Sequence, residues 1–74
     1  MRRIAYYLHR STSGKLIAKV LGSRPPRIGV RVYDSRGKLI GRVVDVIGPV
    51  RSPYIVIRPS NDVELRQYEE LFIR

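Results

Sequence analysis

Gly41-Arg42-Val43-Val44-Asp45-Val46-Ile47-Gly48-Pro49-Val50-Arg51-Ser52-Pro53-Tyr54-Ile55-Val56-Ile57-Arg58-Pro59 is two β-rich runs joined by a loop built on Gly48-Pro49 and Ser52-Pro53. Each proline fixes φ near about −65° and removes a backbone donor, while Gly48 escapes most of the clash that a larger residue before Pro49 would suffer. The loop is therefore stiff. It is expected to place Val50 and Tyr54 beside each other with little entropy left to lose, which is what a docking surface needs.

Working outward, the long strand Leu39 to Ile47 is apolar on both parities, with Val44 and Val46 on one face and Val43 and Ile47 on the other. Such a strand is buried on both sides or bent between two environments, and Gly41 near its start supplies the bend. After the loop, Ile55 and Ile57 face a core while Tyr54, Val56 and Arg58 face outward, and Pro59 ends the run. Upstream, Ile4 to His9 is a first strand, and Ser11-Thr12-Ser13-Gly14 turns it into Lys15 to Leu21, where Leu16, Ala18 and Val20 share a face. Gly22-Ser23-Arg24-Pro25-Pro26 is a loop, since consecutive prolines cannot sit in a central strand. Val30 to Asp34 sets Val30 and Val32 toward the core against a wet Arg31 and Tyr33, and Ser35-Arg36-Gly37-Lys38 turns the chain again. Asp62 to Gln67 reads equally as a short strand or one helical turn capped by Asp62. Glu70 to Ile73 is a last strand. Six short strands, each with one apolar face, and no helix to cover a sheet, predict an all-β fold closed into a small barrel, which removes exposed edges.

Seventy-four residues, 43% of them hydrophobic, suffice for one core, so residues 1–74 are expected to form a single domain. There is no cysteine and one histidine, His9, so disulfides, thiolate metal sites and a histidine-based metal centre are not expected. Neither a metal nor a cofactor is implied. The formal net charge is +9, and eight basic residues precede the first acid, Asp34: Arg2, Arg3, Arg10, Lys15, Lys19, Arg24, Arg27 and Arg31. This favours polyanions, and a nucleic-acid-rich setting is the natural one. The apolar stretches are too short to span a bilayer, and Ile4 to Leu8 runs straight into His9-Arg10 rather than into a signal-peptide cleavage region. An intracellular, cytoplasmic protein is the expectation.

A catalytic centre is hard to assemble from this chain. The serines lie in turns, no nucleophile–base pair is visible, and the neighbours Glu69 and Glu70 would point to opposite faces of a strand. A non-enzyme follows. His9 reads as a hydrogen-bonded structural residue. Asp45, set between Val43 and Ile47, is expected to accept hydrogen bonds from nearby backbone or an arginine. Tyr6, Tyr7, Tyr33 and Tyr54 interleave with arginines, as in single-stranded nucleic-acid platforms, although ordinary half-buried strand tyrosines read the same way. Only one of Tyr6 and Tyr7 can face the core. Tyr54, outward beside Val50 and Val56, fits a protein docking strip better than a stacking platform.

The pattern Gly41-x-Val43-x-Asp45-Val46-Ile47-Gly48-Pro49-Val50-x-x-Pro53-Tyr54-x-x-Ile57-x-Pro59 resembles the signature of the Gar subunit of box H/ACA ribonucleoproteins in its compact archaeal form. Leu8-His9 and Gly29-x-x-Val32-Tyr33-Asp34 extend the resemblance along nearly the whole chain. It implies a six-stranded barrel related to a domain of translation elongation factors. The role it implies is that of a non-catalytic accessory subunit that binds the catalytic domain of the dyskerin-type pseudouridine synthase. Such a subunit meets guide and substrate RNA only through the complex, and it favours substrate loading, release and turnover in rRNA modification and ribosome biogenesis. Carried onto this sequence, the docking residues are Gly48, Pro49, Val50, Pro53 and Tyr54, flanked by Val44 and Val46. Two departures stand beside it. The sequence ends at Arg74, where family members commonly continue into a basic or glycine-arginine-rich tail. Gln67-Tyr68 also stand where the family often has a glycine, so that turn is expected to be built differently.

A second reading stays open from the charge: a ribosome-associated small barrel binding RNA directly, with Arg2, Arg3, Arg10, Arg24 and Arg27 on phosphates and tyrosines on bases.

Overall fold

Register irregularities in four of the strand pairings help decide where the surfaces of this protein lie, and two of them, in β1 and β4, matter most here. The computed structural model describes all residues from Met1 to Arg74. It contains six strands and no helix: β1 (Arg2–Arg10), β2 (Leu16–Val20), β3 (Arg31–Tyr33), β4 (Leu39–Ile47), β5 (Tyr54–Pro59) and β6 (Glu70–Ile73). They close into a barrel in the order β1-β2-β5-β4-β3-β6, and every pairing is antiparallel. The seam between β3 and β6 is held by one register pair, Tyr33 with Phe72. No helix is long and apolar enough to cross a membrane.

The barrel interior is filled from each strand in turn: Ile4, Ala5 and Tyr7; Leu16, Ala18 and Val20; Val32; Ile40 and Val43; Ile55 and Ile57; Leu71 and Ile73. Strict alternation cannot bury the neighbours Ile4 and Ala5 together. The pairing of β1 with β6 shifts between Arg3 and Ala5, leaving Ile4 as an extra residue, and that bulge brings both inside. Of the two tyrosines next in line, Tyr7 is the buried one and Tyr6 lies half-buried outside, edge-on to Tyr68 at 5.9 Å between ring centroids.

The second bulge corrects the parity expected of β4. Val43 pairs with Ile57 and Asp45 with Val56, so Val44 is an extra residue between them. The inward face therefore passes from Val43 to Val46, which packs on the core, while Ile47 is exposed. Gly41 serves a close approach between strands. It is buried where β4 passes β5, and a Cβ there would collide with the backbone carbonyl oxygen of Arg58 and stand 2.9 Å from Ile57 Cγ2. A close strand approach is what requires glycine.

Two other expectations change. Tyr33 is buried rather than wet: it is in register with Phe72 of β6, and the Arg74 guanidinium covers its ring at 4.5 Å. The segment from Asp62 to Gln67 is neither strand nor helical turn; it is irregular chain that sends Val63 into the core, with Leu65 packed against it. The turn before β6 places Tyr68 at φ 70°, so a tyrosine adopts the left-handed conformation usually left to glycine.

Asp34 is the one buried charged residue, and it organises the β3–β4 turn. Its Oδ1 accepts from the backbone N–H groups of Arg36 and Lys38, both at 2.9 Å, and its own N–H donates to the Lys38 carbonyl.

Candidate docking site

The loop between β4 and β5 is a turn fastened at both ends. The Ser52 N–H donates to the Pro49 carbonyl at 3.1 Å, which closes a turn with Val50 and Arg51 at its tip. Gly48 has φ 87°, a left-handed conformation that hands the chain over from β4 to that turn. Pro53 is buried, and its carbonyl accepts from the Val20 N–H at 3.1 Å and from Lys19 Nζ at 3.4 Å, which fastens the loop to β2.

Tyr54 stands at the root of the loop, in register with Lys19 on β2 and with Ile47 on β4. Its ring lies against Gly48, where an added Cβ would be 2.8 Å from Cδ1, and Lys19 Nζ sits 5.3 Å from the ring centroid. The ring is held from two sides, so its conformational entropy is spent before any partner arrives. Val50 has no such cover. It is 89% exposed, the most exposed large apolar side chain of the barrel.

The sequence-predicted site residues thus separate. Gly48, Pro49, Val50, Pro53 and Tyr54 form one local structure in which Gly48 and Pro53 position and Val50 and Tyr54 present. Val46 does not join their outer face, because it packs inward. Val44, half-buried at its bulge, lines a shallow groove with Leu39, Gly41, Arg42, Arg58 and Pro59, away from the loop tip. Ile47 does flank the site, exposed and paired with Tyr54; the missed bulge hid it, since simple alternation could not tell which face it would reach. Lys19, the other neighbour, carries no local sequence signal for this role.

The arginines expected to meet RNA also separate. Arg3 is paired with Glu70. Arg10 is tied internally, its Nη2 donating to the Val63 carbonyl at 2.7 Å and Nη1 to the Gly14 carbonyl at 3.1 Å. The side chains of Arg2, Arg24 and Arg27 make no hydrogen bond or ion pair, and all three are exposed. His9 is exposed, with Nδ1 3.4 Å from the Arg10 carbonyl oxygen. Asp45 is exposed, and its Oδ1 accepts from the Val46 N–H at 2.8 Å, beside the bulge. Glu69 and Glu70 go separate ways: Glu69 Oε1 accepts from the Arg66 N–H, and Glu70 pairs with Arg3.

Comparison with known proteins places the chain in a family. Residues 6–74 match the Gar1/Naf1 RNA binding region family. An uncharacterized protein of Methanothermobacter thermautotrophicus is 38% identical over 69 residues, covering 93% of this chain and 73% of that protein. An uncharacterized protein of Methanocaldococcus jannaschii is 48% identical over 59 residues, covering 78% of this chain and 69% of that protein.

Proposed function

The chain belongs to the Gar1/Naf1 RNA binding region family, and from that premise we propose that it is a non-catalytic accessory subunit of an H/ACA RNA-guided pseudouridylation complex. In this reading it docks on the catalytic domain of the pseudouridine synthase through the β4–β5 loop. The observation that carries the reading is Val50, 89% exposed on a turn whose two ends are fixed by Gly48 and Pro53. An apolar side chain held out on a rigid turn is unfavourable in water and favourable in a partner's pocket, and its pre-ordering lowers what association costs. Tyr54 and Ile47 at the root of the loop widen the apolar contact, and Lys19 edges it with charge. Bound there, the subunit changes turnover by favouring one position of the synthase's substrate-gripping loop over another, which requires a difference in affinity between the two.

The test is to mix the protein with the synthase subunit, with and without guide RNA, and look for comigration in size exclusion. A complex in both conditions is expected. Absence of a complex in both would move the assignment to the second reading, direct RNA binding, which the uncommitted Arg2, Arg24 and Arg27 favour. Salt separates the two, because phosphate contacts weaken steeply with ionic strength and an apolar dock much less.

A further inference from the structure

On the opposite stretch of the β4–β5 ribbon from the docking loop, three arginines stand in one row across three strands. Arg31 of β3 is in register with Arg42 of β4, and Arg42 with Arg58 of β5. Residues in direct register share a face, and all three are exposed, so their side chains leave the outer surface at successive strand spacings of about 4.8 Å. None takes part in an ion pair. Arg42 Nη1 donates to the Gly29 carbonyl at 3.3 Å, and the other two guanidiniums have no hydrogen-bond partner within the protein.

Like charges placed directly opposite on neighbouring strands destabilise a sheet. Three in succession, without an interposed acid, are a cost the fold carries in the free protein and an anion would relieve. Arg42 and Arg58 also line the shallow groove shared with Leu39, Val44 and Pro59. No aromatic side chain lines that groove, so it offers no stacking surface for a base. What the row offers is three forked donors at regular spacing, suited to a chain of phosphates.

We propose that the Arg31–Arg42–Arg58 row is a binding site for the phosphodiester backbone of RNA, separate from the β4–β5 loop and indifferent to base sequence. The occupant is RNA rather than an acidic peptide because the family match is to an RNA binding region and the whole chain carries +9. The row lies apart from the synthase dock, but both inferences rest on the same family match; RNA binding is measured without the synthase, so the failure of one is distinguishable from the failure of the other.

The experiment is anisotropy of labelled short oligouridylate and oligoadenylate titrated with the protein across about 50 to 200 mM salt. The parent should bind both with similar affinity. Replacing Arg31→Gln, Arg42→Gln and Arg58→Gln together should lower the slope of log affinity against log salt by about 2, three phosphate contacts at roughly 0.7 each. Thermal melting of the same variant should show a midpoint equal to or above the parent's, because repulsion has been removed, so lost binding cannot be blamed on unfolding. A charge-matched control, Arg36→Gln, Lys38→Gln and Arg66→Gln, should change the slope by clearly less. Equal loss in row and control variants would overturn the site, as would no binding by the parent. Competition by polyglutamate as effective as unlabelled RNA would overturn it in favour of an acidic protein partner.

Discussion

The Tyr54 ring lies against Gly48 so closely that a Cβ on Gly48 would stand 2.8 Å from Tyr54 Cδ1. This contact, with φ 87° at the same residue, joins the end of β4 to the start of β5 and fixes the angle at which the loop leaves the barrel. The proposed docking surface therefore depends on a residue that contributes no side chain to it.

Gly48→Ala should both strain the left-handed backbone and push the ring away, destabilising the protein by about 1–3 kcal/mol. It should also weaken synthase binding beyond what the loss of stability explains. Chemical denaturation and calorimetry at a temperature where the variant is still folded check the two effects. Unchanged stability would mean that the loop is not held by this contact.

Val50→Glu alters a side chain that is 89% exposed, so folding stability should stay within about 0.5 kcal/mol of the parent. Affinity for the synthase should fall at least about tenfold, because a charge would have to be desolvated in an apolar pocket. Equal affinities of parent and variant in calorimetry would sink the proposed dock.

Gly41→Ala places a methyl group against the Arg58 backbone, which no rotamer change can relieve. The cost should lie at the upper end of overpacking, about 3 kcal/mol. In a domain this small that is a large part of the total. A melting curve near the parent's would show that β4 and β5 can separate without loss.

Asp34→Ala removes a buried carboxylate that accepts from two backbone N–H groups. Leaving both donors without their charged acceptor should cost about 2–4 kcal/mol. Hydrogen exchange at Arg36 and Lys38 should speed up locally as well, a readout that separates loss of the turn from general destabilisation.

Much of the barrel was legible in residue order. Runs of Val, Ile and Tyr between turn residues marked six strands, and Gly48-Pro49 with Ser52-Pro53 marked the rigid loop. The resemblance to the Gar subunit rested on the same block, and residues 6–74 match that family. What alternation misplaces in β4 lies at a bulge. Simple parity sets Val46 with Val44 on one face, whereas the extra residue at Val44 sets it beside Val43. Alternation leaves Tyr33 in water, whereas the closing of β3 on β6 brings Arg74 over its ring. The turn before β6 has no glycine, and Tyr68 itself takes the positive φ.

The candidate RNA-contacting arginines show the same limit. Composition established the excess of positive charge, but Arg3 meets Glu70 and Arg10 meets the Val63 carbonyl, partners more than fifty positions away in the chain. The row of Arg31, Arg42 and Arg58 exists only through two registers. By itself the sequence determined which segments are strands, where the chain is stiff, and which family it resembles, because these depend on local dihedral preferences and short-range pattern. Tertiary structure alone decided which side chains face outward together and which cations stay unpaired. One inserted residue reverses a strand's faces, and pairing across a closed barrel joins residues that local order leaves far apart.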